Sequence, residues 1–317
     1  MVTLDHLKLF RDLAHVRSVS RGAEMNGISQ SAASQHVQEI ERQLGVKLLD
    51  RSRRPLSLTP EGKLYFEFCR DVLRRYDEFL AALQELRGKV KGTVRVASIY
   101  SIGLSELTRI EELFRRRMPE SELKVEYLRP EKVYEAVLTE RADLGLVSYP
   151  EASKEIKAMP WREETMVVAL PPGHHLGSAR ELKPSDLEGE DFVGFDEDLP
   201  ISQNVRRFLR EAGVKVNVAL RFDNIQSMKD AVSQGYGVSI LPERILRDDV
   251  EHGRIRTVRL APPGLRRPLG IIQLRKKTLH RAAQEFVSLL WEEQAEEALP
   301  ELTAHSPNGE GLLPVAR

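Results

Sequence analysis

The chain has 317 residues, 48 Lys+Arg against 48 Asp+Glu and 41% hydrophobic residues, so its length allows about two domains and its charge balance excludes a uniformly basic nucleic-acid coat. The apolar content and the lack of a long low-complexity tract exclude a disordered chain. One cysteine, Cys69, excludes an intramolecular disulfide framework and any Cys-rich zinc site, and fits a reducing compartment.

At the front, Asp5, His6 and Lys8 interrupt the apolar residues of Met1 to Phe10, which therefore lack a signal-peptide core. No run of about 18 apolar residues occurs, so no transmembrane helix is expected and the protein reads as cytoplasmic, with no membrane partner. Residues 1–92 hold 16 Lys+Arg and 12 Asp+Glu, leaving 32 and 36 for the remainder. That small bias fits a DNA-reading head on a separate sensor, but composition noise would also produce it.

Leu4, Leu7, Phe10, Leu13 and Ala14 recur at helical spacing and predict a first amphipathic helix. Ser20 is a candidate cap for a short helix that carries Ala23 and Met25 and stops at Asn26-Gly27. Ser29 caps a third helix. In it Ala33, Val37, Ile40 and Leu44 form an apolar stripe, Gln30, Ser31, Ser34, Gln35 and Gln38 fall on the other side, and Gly45 ends the run. This succession is the helix-turn-helix layout, with Ala23 as the small residue that lets two helices approach. Amides and hydroxyls on the outward face suit hydrogen bonding to base edges; a merely solvated face would more often carry Lys and Glu.

Val46 to Arg51 and Leu56 to Leu58 read as two short strands around Ser52-Arg53-Arg54-Pro55, a wing. Arg51, Arg53 and Arg54 concentrate charge suited to phosphates or a narrow minor groove, although a lone arginine cluster is also ordinary solvated surface. Thr59-Pro60 starts a long helix reaching roughly Val90. Along it Phe68, Val72, Tyr76, Phe79, Leu83, Leu86 and Val90 form a coiled-coil seam, or else a face packed on its own domain.

From Thr93 strands alternate with helices: Thr93 to Ala97, a helix from about Leu104 to Met118, Leu123 to Leu128, a helix from Pro130 to Arg141, then Leu144 to Val147. This is βαβαβ with a parallel sheet. A second set follows over Met166 to Leu170, Phe192 to Phe195, helix Gln203 to Ala212, Val216 to Phe222, helix Ile225 to Gln234 and Val238 to Leu241. The strand Leu269 to Leu274 and the helix Leu279 to Trp291 would return to the first lobe through a hinge. After about Gln294, Pro300, Pro307, Gly309, Gly311 and Pro314 mark a loose tail.

These residues resemble the LysR-type transcriptional regulators over about residues 2–294. The resemblance is carried by Ala23-Glu24-Met25, Ile28 to Gln35, Ile40-Glu41, Leu44 to Arg51 and Leu58-Thr59-Pro60-Glu61-Gly62. Echoes follow at Ala142 to Val147, Pro172-Gly173-His174-His175-Leu176 and Gly235-Tyr236-Gly237-Val238 to Leu241-Pro242. It implies a winged helix-turn-helix over 1–59, a dimerising linker helix over 60–92, and an α/β effector domain over 93–294 similar to periplasmic binding proteins. Lobe I would span about 93–165 and 268–294, lobe II about 166–267, and the tail 295–317.

Gln30, Ser34 and Arg53 match positions the family uses on DNA, and Ser31, Gln35 and Arg54 join them as candidates. Asn26 and Ala33 stand where the family has larger apolar residues, and Ser31 and Gln35 where it commonly has Pro and Arg. The first two thin the core of the head; the last two alter its reading surface. Implied partners are double-stranded promoter DNA, a small-molecule effector, further copies of the chain as a dimer or tetramer, and RNA polymerase.

Effector chemistry belongs in the crevice between the lobes, at strand C-termini and helix N-termini. Ser98, Tyr100 and Ser101 after the first strand, and Ser202, Asn224 and Gln226 at later strand-to-helix turns, are candidate donors to a small anion, though each also serves as a plain helix cap. Arg129 is the candidate charge partner, or an exposed loop arginine.

No Gly-x-Ser-x-Gly elbow, phosphate loop or His-Glu-x-x-His occurs, so no catalysis is expected. His174-His175 have no nearby third ligand in the sequence, and neither a metal nor a cofactor is expected. The competing class is a two-lobed solute-binding protein or enzyme with an incidental helical head. The missing secretion signal and catalytic constellation argue against both.

Overall fold

The structure, a computed structural model, describes residues 2–50, 56–86, 92–102 and 107–303. Helix α1 (Leu4–Val16) opens with a reciprocal cap between Thr3 and His6 and buries Leu7, Phe10 and Leu13. Helix α2 (Val19–Met25) is capped by Ser18, whose Oγ accepts from the Arg21 N–H at 3.3 Å. Ser20, the expected cap, lies inside the helix and donates to Gln30 Oε1 at 2.9 Å. Ala23 is buried as expected, and Gly22 sets the approach of α2 to α1: a Cβ there would lie 2.5 Å from Leu13 Cδ2.

Asn26 costs the head less than its polarity suggests. Its Nδ2 donates to Asp12 Oδ2 at 3.0 Å and to the Gly22 carbonyl at 2.9 Å, so the half-buried amide is satisfied. Helix α3 (Gln30–Leu44) starts on Ser29, whose Oγ accepts from Ala32 N–H, and stops at Gly45, where φ is 69°. Ala33, Val37 and Ile40 are buried, whereas Leu44 is exposed, contrary to the expected stripe. Glu41, one turn beyond Val37, takes the inward place.

Glu41 explains the short wing. Its Oε1 accepts from the N–H groups of Leu48 at 2.8 Å and Leu49 at 3.2 Å, so pairing of β1 (Leu49–Asp50) with β2 (Ser57–Leu58) begins at Leu49↔Leu58. Arg51, Arg53 and Arg54 lie outside the described residues. Thr59 then caps α4 (Pro60–Leu86), accepting from Gly62 N–H and donating to the Lys47 carbonyl. Gly62 must lack a Cβ, which would sit 1.9 Å from the Leu48 carbonyl oxygen.

Helix α4 carries two apolar faces. Tyr65, Cys69 and Leu73 are buried in the core of the head, while Leu64, Phe68, Tyr76, Phe79 and Leu80 are exposed. Val72 packs partly on the head and leaves the expected seam; Val90 is outside the described residues. Arg70 Nη1 donates to the Leu138 carbonyl at 3.0 Å and ties α4 to the next domain.

In lobe I, β3 (Thr93–Ile99) leads through the turn α5 (Tyr100–Ile102) to α6 (Thr108–Arg117), β4 (Glu122–Leu128), α7 (Pro130–Leu138) and β5 (Leu144–Ser148). The three strands are parallel in the order β4-β3-β5, as the alternation of elements predicts. Asp143, in the Ala142 to Val147 echo, is buried and accepts from Arg95 N–H at 2.8 Å and Lys277 Nζ at 2.9 Å. Its work is structural.

The next strand, β6 (Ile156–Leu170), begins ten residues before the expected Met166 and runs from lobe I into lobe II. There follow β7 (Glu181–Leu182), β8 (Asp191–Phe195), α8 (Pro200–Glu211), β9 (Asn217–Phe222), α9 (Ile225–Ser233), β10 (Ser239–Pro242), α10 (Arg247–Glu251) and β11 (Arg256–Leu260). β6 carries β10 and β11 on its far half, and β8 pairs with β9 in parallel. β12 (Leu265–Leu274) returns antiparallel to β6 and then to β5, with a register shift between Leu269 and Gly270. The lobes therefore share a continuous mixed sheet over two separate cores.

α11 (Arg281–Thr303) buries Phe286, Leu289 and Leu290 in lobe I, and Trp161 Nε1 donates to its Leu290 carbonyl at 2.9 Å. It continues nine residues beyond the expected start of the tail, through Glu292 to Leu299, a stretch of strong helix formers. Residues 304–317 lie outside the described residues.

The joint between α3 and the wing is sensitive to acid. Burial raises the Glu41 carboxyl pKa, but the Leu48 and Leu49 N–H donors and Lys47 outweigh it and hold it below the ordinary 4.5. Its stabilisation is therefore complete above pH 4.5 and is lost as pH falls through the lower folded value. Glu41→Ala should cost about 2 kcal/mol at neutral pH, with two buried N–H groups left unpaired. Glu41→Gln should flatten the acid limb in urea denaturation followed from pH 7 downward.

Candidate functional site

Two surfaces carry function-bearing side chains. On the head, Gln30, Ser31 and Gln35 are exposed and Ser34 is half-buried, all within the first two turns of α3. Two of them have partners within the head: Gln30 Oε1 accepts from Ser20, leaving its NH₂ to donate outward, and Ser31 Oγ lies 3.0 Å from Ser29 Oγ. Gln35 projects without such a tie among the described hydrogen bonds.

The second surface is a cavity of about 740 Å³ between the lobes, lined by Tyr100 and Ser101 on one side and by Asp223, Asn224, Gln226 and Lys229 on the other. A narrower inner recess adds Ser148, Phe195 and Arg267. Tyr100, Ser101, Asn224 and Gln226 are thus brought together. Asn224 also caps α9, with Oδ1 accepting from Ser227 N–H at 2.9 Å, and Gln226 Nε2 donates to Asp230 at 3.0 Å.

Three candidates are placed differently. Ser98 is fully buried within β3 and donates to the Ile99 carbonyl. Ser202 is not a cap but the third residue of α8, buried, donating to the Phe195 carbonyl at 3.2 Å; proline at position 200 starts the helix earlier than the sequence reading placed it. Arg129 reaches the recess, but its guanidinium is held by Asp198 at 2.7 Å, Asp223 at 3.2 Å and Glu131 at 3.2 Å. It bridges lobe I to lobe II carboxylates. Burial lowers its pKa, but Asp198, Glu131 and Asp223 outweigh this and raise it above the ordinary guanidinium value.

The cation at the bottom of the recess is Arg267, only 1% exposed. Its Nη2 donates to Ser101 Oγ, and its Nη1 lies 3.2 Å from Glu164, its cross-strand neighbour. Arg162 stands on the same carboxylate at 4.0 Å and stacks over the Trp161 ring. Both guanidiniums therefore approach the Glu164 carboxylate. Burial pushes the Arg267 pKa down and Glu164 pulls it back only in part, yet a guanidinium stays protonated at neutral pH. Its Nε makes no hydrogen bond. Strand alternation alone would have found this residue: Arg267 falls in phase with Leu265 and Leu269, whereas Arg266 points to solvent.

A winged helical head joined by a long helix to a two-lobed binding domain defines a ligand-responsive DNA-binding regulator. Residues 4–63 match the family model described as bacterial regulatory helix-turn-helix protein, lysR family, and residues 87–295 match the LysR substrate binding domain. The chain belongs to the LysR family of transcriptional regulators. It is 26% identical over 286 residues to the HTH-type transcriptional regulator CysL of Bacillus subtilis, covering 90% of this chain and 96% of that one.

Among solved structures, a variant of full-length OxyR from Pseudomonas aeruginosa superposes with a TM-score of 0.72 at 21% identity, covering 92% of this chain and 94% of that one. DarR of Vibrio fischeri, solved in complex with DNA, gives 0.55 at 18% identity, covering 92% and 99%. These likenesses agree on the fold. With relatives that are named regulators, the chain is a regulator and not an enzyme. Among the described residues no helix is long and apolar enough to cross a membrane.

Proposed function

We propose that the protein reads promoter DNA through Gln30, Ser31, Ser34 and Gln35, with Arg53 and Arg54 on the backbone or minor groove. It answers to a small anion seated between the lobes. The polar exposed residues of α3, set against buried Ala33, Val37 and Ile40, support the first part. RNA polymerase is the downstream partner in this reading. In mobility shifts on the DNA upstream of its own gene, Gln35→Ala should lose about 1 to 3 kcal/mol on the best site and change sequence preference. Arg53→Ala should weaken all sequences and flatten the salt dependence. Equal losses on every sequence from both substitutions would contradict the assignment.

Reading a paired site needs two heads held about one helical turn of DNA apart, or a multiple. The exposed face of α4 supports self-association: Phe68, Tyr76, Phe79 and Leu80 are all more than a third exposed, with Leu83 beside them half-buried. A dimer along residues 60–92 is the minimum, and a tetramer of two dimers is the larger assembly. Phe79→Asp with Leu83→Asp should give a monomer in light scattering; an unchanged mass would refute the seam.

The observation that carries the effector class is Arg267, a buried guanidinium with an unbonded Nε, lining the recess beside Ser101. A neutral apolar guest would leave the Arg267 Nε–H unpaired, at roughly 1 to 3 kcal/mol, whereas an oxyanion accepts from it. Arg129, already held by carboxylates, serves in this reading as a tie between lobes. A thermal-shift screen of carboxylates, sulfate, sulfite and phosphate esters should find a stabilising anion whose effect falls away in Ser101→Ala and in Arg267→Lys. A shift that survives both substitutions would place the ligand elsewhere, and hits among neutral apolar compounds alone would overturn the anion reading.

A further inference from the structure

Remote from the inter-lobe cavity, the loop after β6 meets the turn before β8. The sequence offers His174 and His175 no third ligand, but the fold supplies one. Glu190 Oε2 lies 3.4 Å from His174 Nε2, and Glu190 Oε1 lies 3.1 Å from His175 Nε2. One ligand atom from each of the three residues lies within 4.8 Å of the others. We propose that His174, His175 and Glu190 form a divalent-cation site of the zinc class on lobe II, stapling the β6 loop to the start of β8.

The donor set selects the cation. Two imidazole nitrogens and one carboxylate oxygen suit Zn²⁺ and its borderline neighbours, whereas Mg²⁺ and Ca²⁺ prefer all-oxygen shells. A tetrahedral zinc with bonds of about 2.0 to 2.1 Å needs ligand atoms about 3.3 Å apart. Each imidazole already stands at about that distance from one Glu190 oxygen, His174 from Oε2 and His175 from Oε1, so rotation of the carboxylate brings one oxygen between them. The remaining imidazole-to-imidazole edge closes by rotation of His175, whose ring is largely exposed and lies 4.4 Å from the His174 ring between centroids. Water completes the fourth position.

The backbone on both sides is fixed beforehand. The His174 carbonyl accepts from Gly177 N–H at 2.9 Å, and the Glu190 carbonyl accepts from Asn217 N–H at 2.8 Å. Glu190 is also flanked unusually. Among the described residues the basic side chains within 4 Å of its carboxylate are these two imidazoles, not a lysine or arginine, in a chain with 48 of the latter types. A carboxylate set against two imidazoles is the arrangement a cation would unite.

Binding has one cost. His174 Nδ1 accepts from Leu176 N–H at 3.3 Å, which places the ring proton on Nε2. Coordination through Nε2 moves that proton to Nδ1 and forfeits the hydrogen bond. The bond is long, and one weak contact is a small loss against three metal–ligand bonds.

The test is calorimetric titration of EDTA-stripped full-length protein with Zn²⁺, with the melting temperature followed in parallel. Wild type should bind one zinc that raises the melting temperature. His175→Ala, at an exposed position that leaves the fold intact, and Glu190→Gln should each weaken that binding about tenfold or more and abolish the thermal shift. His36→Ala, which removes the His6–His36 pair on the head, should leave the binding unchanged. Absence of zinc uptake by wild type would overturn the site. Undiminished binding in both His175→Ala and Glu190→Gln, or its loss in His36→Ala, would do the same.

Discussion

The antiparallel pairing of Ile156–Leu170 with Leu265–Leu274 joins the lobes and sets the geometry of the sensor. Among the described residues each lobe has its own core. Two strands therefore carry the chain across, and they fix what faces the cavity. Their register places Arg267 opposite Glu164, with Arg162 two residues along the same face of β6. Because successive side chains in a strand alternate, a one-residue slip would turn Arg267 to solvent and send Arg266 to the recess. The site's charge is thus a property of the ladder.

Two electrostatic arrangements sit on this frame and act differently. At Arg267 a buried guanidinium with an unbonded Nε faces the recess, its charge met by Glu164 at 3.2 Å. At Arg129, by contrast, one guanidinium meets carboxylates from both lobes near the cavity rim, where solvent screens each contact. In the proposed reading the first supplies affinity for an anion. The second resists lobe opening without competing for the same ligand, and a ligand that alters lobe separation shifts the balance between arrangements by its differential affinity.

The head rests on a smaller version of the same logic. Glu41 satisfies the N–H groups of Leu48 and Leu49 and so couples the orientation of α3 to the wing. Gly62 brings α4 against the Leu48 carbonyl, and Arg70 carries the contact onward to lobe I. A continuous path of packed groups therefore runs from α3 to lobe I.

Periodicity alone determined much of this protein. The amphipathic stripe of α1, that of α3 as far as Ile40, the caps at Ser29 and Thr59, and the alternation of strands and helices after Thr93 are local properties, and each stands in the structure. What failed was whatever depended on a partner distant in sequence. Ser98 and Ser202 have the right residue type beside the right turns, yet both spend their hydroxyls on carbonyls inside the fold. Arg129 looked available until Asp198 and Asp223, roughly 70 and 90 residues away, were placed beside it. Glu190 joined His174 and His175 only when β8 was laid beside β9 and its preceding turn met the β6 loop. Local sequence sets propensity, capping and amphipathic phase, because these act over one or two turns. The pairing of charges and the closing of sites are decided by long-range register, which only the tertiary structure holds.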